Sequence, residues 1–96
     1  MRLSFEWDQR KADANLKKHG VSFTEAKSVF GDPQASIFPD EDHSVEEERE
    51  IIVGHSMADR LVLVCFVEVE PARIRIISAR CATGREQHDY EERGTF

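Results

Sequence analysis

Residues 61–69 read Leu-Val-Leu-Val-Cys-Phe-Val-Glu-Val, and no other stretch restricts the fold so tightly. The apolar part, residues 61–67, is far below the ~20 residues needed to cross a bilayer. Its valines and leucines suit a central strand buried on both faces. Glu70-Pro71-Ala72 turns the chain, and residues 73–79 form a second β-branched run. Strands joined by so short a link pair antiparallel. The chain must therefore build a sheet, and the remaining segments must supply its other strands and its cover.

Upstream, Leu3, Phe5 and Trp7 alternate with polar residues as in a short strand. Asp8 is placed to cap a helix over residues 8–19, with Ala12, Leu16 and His19 along it and Gly20 as its left-handed stop. Ser22 and Glu25 have the spacing of a capping box, with Val21 positioned to staple onto Ala26. Phe23, Ala26, Val29 and Phe30 then share one face of a second helix, which Gly31-Asp32-Pro33 ends. Residues 35–38 and 49–55 read as further strands, with an acidic loop over 39–47 between them and a turn at Ala58-Asp59. Thr83 and Glu86 form another capping box, opening a last helix that Gly94 closes. The order is β-α-α-β-β-β-β-α. The expected class is α+β, a twisted antiparallel sheet with two N-terminal helices on one face and a C-terminal helix near its edge. The expected core comprises Leu16, Phe23, Phe30, Leu63, Cys65, Val67, Ile74 and Ile76.

Ninety-six residues fit a single domain, here residues 1–96. The N-terminus lacks a basic segment followed by an apolar stretch, so no signal peptide is expected. Cys65 and Cys81 are too few for a disulfide scaffold and lack metal-ligand spacing. A reduced cytoplasmic protein with no metal, no cofactor and no membrane association follows. The net charge of −6 argues against avid nonspecific nucleic-acid binding, yet the charge is segregated. Residues 40–50 are dominated by acids, whereas residues 73–85 hold four arginines and no acid. Such a chain can present a positive face while staying acidic overall.

Glycine-rich phosphate loops, paired metal-binding histidines and serine nucleophile elbows are all missing from the sequence. His19 stands at a helix C-terminus, where a structural role is a sufficient explanation. His43 and His55, on a loop and near a strand end, could serve as acid or base, and His88 reads as solvated. The arginine-rich run is more informative. Strand alternation places Ile74, Ile76 and Ser78 on one face and Arg73, Arg75 and Ile77 on the other, with Arg80 at the strand exit. A guanidinium there can grip a phosphate with two nitrogens. Tyr90 lies about one turn beyond Glu86 on the same side of the last helix. Together, Arg80, Glu86 and Tyr90 could cleave RNA without a metal, as phosphorane stabiliser, base and positioning group or acid. Glu86 could equally be a helix cap alone, and Tyr90 could simply pack on the sheet.

The sequence resembles the BrnT family of type II toxins. The likeness is carried by residues 5–8 with 15–23, by Glu47, Glu48 and Arg49 leading into Gly54, and by residues 75–80 with Ala82, Thr83, Arg85, Glu86, Tyr90 and Glu91. The resemblance implies a RelE-like fold and a metal-independent endoribonuclease that cleaves RNA and arrests growth. It further implies a BrnA-like antitoxin partner with a ribbon-helix-helix DNA-binding part. DNA would be met only through that complex, which would repress its own operon. The matching polar positions are Lys18, His19, Glu48, Arg49, Arg80, Glu86 and Tyr90. The expected catalytic set is Arg80, Glu86, Tyr90, Arg49 and Glu48, and the expected RNA contacts are Lys18, His19, Arg75 and Arg85. Cys81 and Gly84 stand where such toxins often carry basic residues. That departure keeps a second reading alongside, a weakly active or inactive module that chiefly complexes an antitoxin.

Overall fold

The structure, a computed structural model, describes residues 2–41 and 48–93. His43, most of the acidic loop and the expected stop at Gly94 lie outside the described residues. The chain runs through β1 (Ser4–Glu6), α1 (Gln9–His19), α2 (Phe23–Ser28), a 3-10 turn (Val29–Gly31), β2 (Ser36–Pro39), β3 (Glu50–His55), β4 (Leu61–Glu70), β5 (Arg73–Cys81) and α3 (Gly84–Glu92). The α+β class and the order of elements are as expected.

Local chemistry sets these boundaries. The Asp8 carboxylate accepts from the Arg10 and Lys11 amides at 2.8 and 3.2 Å and so starts α1. Gly20, at φ 70°, ends it, with its N–H on the Leu16 carbonyl at 2.9 Å. The Ser22 hydroxyl caps α2 through the Glu25 amide at 3.0 Å. The return half of that capping box is replaced, because the Glu25 carboxylate turns instead to Arg60 and Ser56. A charge-assisted partner outcompetes a backbone amide. The box at Thr83 and Glu86 is complete.

The sheet order is β1-β5-β4-β3-β2. Strands β2 to β5 form the expected antiparallel meander. In contrast, β1 pairs parallel to β5, so the sheet is not antiparallel throughout. The meander leaves two outer edges, β5 and β2, and β1 takes that of β5, the strand on which the following α1 packs. Because β1 covers β5 only opposite Arg73, Ile74 and Arg75, the rest of that edge needs other partners. Asn15 of α1 supplies them. Its amide donates to the Ala79 carbonyl at 2.8 Å and its oxygen accepts from the Ala79 N–H at 3.1 Å. The same side chain also donates to the Val21 carbonyl at 2.9 Å.

The main core lies between the sheet and helices α1 and α2. There Ala12, Val21, Phe23, Ala26 and Val29 meet Ile52, Val62, Val64, Phe66, Ile74, Ile76 and Ala79. Phe30 is half-buried and bridges Phe5 and Phe66 edge-on, at 5.1 and 5.0 Å between ring centroids. Gly54 lets the segment after the 3-10 turn approach, since a Cβ there would sit 2.8 Å from Ala35 Cβ and 3.2 Å from Val29 Cγ1.

Three expectations about burial are corrected. Leu16 is 51% exposed, because Ala12 and Asn15 occupy the side of α1 that meets the sheet. Leu63 and Cys65 are half-buried on the opposite face, while Val62, Val64 and Phe66 take the helix-covered side of β4. In its middle β4 is thus fully buried on one face only, whereas Leu61 and Val67, on the other side near its ends, are buried too. The third correction concerns β5. Cys65 opposes Ser78 whereas Phe66 opposes Ile76, so Ile77 is an extra residue at a β-bulge. The bulge reverses the alternation beyond it, so that Ser78 and Arg80 share the open face with Arg73 and Arg75. Cys81 pairs with Val62 on the helix side, across the sheet from Cys65.

Candidate active site

The open face carries a cavity of about 350 Å³, with Ile51, Leu63, Cys65 and Ser78 from three adjacent strands in its lining. His19, Asp40, Arg49 and Arg80 also line it. His19 and Arg80 arrive from α1 and β5, and Asp40 and Arg49 from the residues that directly follow β2 and precede β3. The Asp40 N–H donates to the Arg49 carbonyl at 2.9 Å, one step beyond the Pro39–Glu50 pair, so the β2–β3 ladder sets these two side by side. The Ile77 bulge turns Arg80 into the cavity. His19 comes from the last turn of α1. It lies one turn beyond Asn15 on the same side of the helix, and Asn15 is fastened to Ala79, the residue before Arg80. On the cavity wall, the Cys65 thiol donates to Asp40 Oδ2 at 3.6 Å.

Beside this cavity, α3 lies over the open face. Its residues Glu86, Asp89, Tyr90 and Arg93 enclose a shallower hollow with Phe38, Val53 and Leu63. Arg80 joins the two depressions. Its Nη1 and Nη2 donate to the two Glu86 carboxylate oxygens at 2.7 and 2.8 Å. Glu86 Oε1 also accepts from the Thr83 amide at 2.9 Å. The Arg80 guanidinium, helped by that amide and opposed by partial burial, holds the Glu86 carboxyl down at about 2. In turn, Glu86 raises the Arg80 pKa further above its ordinary value. The Tyr90 hydroxyl donates to the Gln34 carbonyl at 3.0 Å, and its ring stands edge-on to His55 at 5.9 Å. Burial, together with the Asp32 charge, raises the Tyr90 pKa.

Of the residues expected at the site, His19, Arg49 and Arg80 share the cavity, and Glu86 touches Arg80 directly. Tyr90 faces the adjoining hollow. Lys18, Glu48 and Arg85 are exposed on the surface, outside the cavity lining. Arg75 lies further along β5, where its Nε donates to Glu6 at 2.9 Å, and Arg73 donates to the other Glu6 oxygen at 2.7 Å. Sequence reasoning missed Asp40, Ser78 and Asn15. Asn15 left a signal, a polar residue flanked in spacing by Ala12 and His19. Ser78 left none, because its face depends on the bulge. Among the described residues, no group of three or more His, Cys, Asp or Glu side chains could hold a metal ion, and no helix is long and apolar enough to cross a membrane.

Comparison with known proteins bears on the fold and the family. Residues 7–86 match the family described as "Ribonuclease toxin, BrnT, of type II toxin-antitoxin system". Among solved structures, the 1.1 Å crystal structure of the Brucella abortus ribonuclease toxin BrnT is similar in fold, with a TM-score of 0.66. The two are 24% identical in sequence, and the match covers 84% of this chain and 97% of that one. No curated protein sequence matches. The structural likeness establishes the fold, and the family match spans most of the sequence. On that match, the chain belongs to the BrnT family of ribonuclease toxins of type II toxin-antitoxin systems.

Proposed function

We propose that this protein is a metal-independent endoribonuclease that cleaves RNA by attack of a 2′-hydroxyl on the adjacent phosphorus and thereby inhibits growth. The observation that carries the reading is the meeting of Arg49, Arg80 and His19 in one cavity on the open face. Two guanidiniums can hold the phosphate and stabilise the charge that builds in the pentacoordinate transition state. Arg80 contributes from a fixed position, because Glu86 and the helix cap hold its fork. Lys18 and Arg85, exposed near the two ends of the site, would meet the flanking backbone, with Arg75 more distant. Tyr90 and Glu48 would border the substrate. The partner in this reading is a cytoplasmic BrnA-like antitoxin with a ribbon-helix-helix part, through which the complex would reach DNA.

One observation favours the weaker alternative. Arg73, Arg75 and Arg80 each share their charge with a carboxylate, so an incoming phosphate competes with Glu6 or Glu86. A module that only complexes an antitoxin would tolerate that competition. Purified protein incubated with defined RNA and EDTA separates the two. Fragments ending in a 2′,3′-cyclic phosphate, and none from a 2′-deoxy substrate, are expected. Intact RNA under all conditions would favour the binding module, and cleavage that requires magnesium would overturn the mechanism.

A further inference from the structure

We infer that His19 is the group that takes the proton from the attacking 2′-hydroxyl, an assignment that rests on the ribonuclease reading above. Glu86, the carboxylate nearest to Arg80, is committed elsewhere. Both its oxygens accept from Arg80, and one also accepts from the Thr83 amide. A carboxylate so thoroughly satisfied has little tendency to accept a further proton, and taking one would break the fork that holds Arg80. Its role is to position Arg80. Tyr90 is a phenol that donates to the Gln34 carbonyl, and its raised pKa keeps it protonated. It cannot act as the base.

Within the cavity, the groups able to exchange a proton are His19, Asp40 and Cys65. Asp40 and Cys65 are engaged with each other. His19 belongs to the side-chain type whose proton exchange best suits neutral pH. The backbone beneath it is held from three directions. Asn15, one turn earlier, is bonded to Ala79 and to Val21. Gly20, next in the chain, adopts the left-handed turn, and its carbonyl accepts from Arg60 Nη2 at 3.0 Å. An exposed side chain on so constrained a backbone can meet a reacting atom at a defined place.

In the step proposed, the 2′-hydroxyl proton passes to the His19 imidazole and the 2′-oxygen bonds to phosphorus. The bond from phosphorus to the 5′-oxygen breaks, and that oxygen takes a proton from water. The products are a 2′,3′-cyclic phosphate and a 5′-hydroxyl, and the imidazolium returns its proton to solvent.

The test uses an RNA oligonucleotide cleaved by the wild-type protein. His19→Ala should lose at least about 100-fold in rate, the scale of a positioned base, and should recover part of it on addition of imidazole. Glu86→Ala should recover nothing on addition of formate, which would substitute for a missing carboxylate base. Should His19→Ala melt early, His19→Gln carries the same comparison. Near wild-type cleavage by the His19 variant, loss without imidazole recovery, or formate recovery in Glu86→Ala would each overturn the assignment. A wild-type protein that leaves all RNA intact would instead overturn the ribonuclease reading beneath it.

Discussion

Two arginine–carboxylate forks sit on opposite sides of the sheet, and their chemistry is the same. On the helix side, Glu25 accepts from Arg60 Nε and Nη2 and from the Ser56 hydroxyl at 2.6 Å. On the open side, Glu86 also accepts two bonds, from Nη1 and Nη2 of Arg80. The arginines are equally exposed, with 40% of the side chain accessible in Arg60 and 42% in Arg80. The acids differ: 9% of the Glu25 side chain is accessible, against 36% for Glu86. Burial of the acid decides what each fork does. A buried carboxylate that loses its partner is left charged in a poor solvent, so the Glu25 fork clamps α2 and the Gly20 turn to the β3–β4 turn. An accessible carboxylate can be resolvated, so the Glu86 fork adds little to stability and leaves Arg80 available to a substrate.

The largest expected effect breaks this symmetry. Arg80→Ala should reduce RNA cleavage by about 100- to 1000-fold, the scale of losing a charged group that stabilises a transition state. Its melting temperature should shift by only a few degrees, corresponding to less than about 1 kcal/mol. Cleavage assays and thermal melts on the same preparation check both. A collapse of the melt would make Arg80 a clamp like Arg60.

Glu25→Ala should do the reverse. Losing the buried acceptor of three donors should cost about 2 kcal/mol, or roughly 10 °C in melting temperature for a domain of this size. Cleavage per folded molecule should fall far less than in Arg80→Ala, because Asn15 still holds the backbone under His19 although the Gly20 turn loses its clamp. If cleavage falls with the melt unchanged, the two faces are not separate in function.

The smallest effect is on acid stability. The Glu86 carboxyl titrates near 2 in the folded protein, below its ordinary 4.5. A lowered folded-state value stabilises the protein above the ordinary value, and that stability is lost as pH falls from about 4.5 toward 2. Because both partners are more than a third accessible, the loss should stay below about 1 kcal/mol. Glu25 is lowered by Arg60 in the same direction, so it adds to the same acid loss. Urea midpoints at pH 6 and pH 3 should therefore differ less in Glu86→Gln than in wild type. An equal difference would show that the open fork carries no linked proton.

Much of the fold was legible because its signals are local. Asp8, Gly20, Ser22 and Thr83 mark helix ends through their own backbone neighbours, and the turns at Asp59 and Ala72 take the left-handed φ that reverses a chain. What escaped depends on contacts far apart in sequence. The parallel pairing of β1 requires knowing which edge β5 leaves open. The burial of Asn15 in place of Leu16 follows from backbone groups of Ala79, 64 positions away. Spacing singles out Arg80, Glu86 and Tyr90, but not the commitment of Glu86 to Arg80 or of Tyr90 to Gln34. The Ile77 bulge, which turns Arg80 and Ser78 to the open face, leaves no mark in an alternating run.

The central claim is that the open face, between the end of α1 and α3, receives the RNA. Amide chemical-shift mapping of the labelled protein with a 2′-O-methylated RNA, which cannot be cleaved, tests it directly. Changes should concentrate at His19, Arg49, Ile51, Ser78 and Arg80, around the cavity. Leu3, Phe5, Lys27 and Met57 line an apolar hollow distinct from that cavity and should stay unchanged. Shifts concentrated at those four residues, with His19 and Arg80 unmoved, would contradict the account.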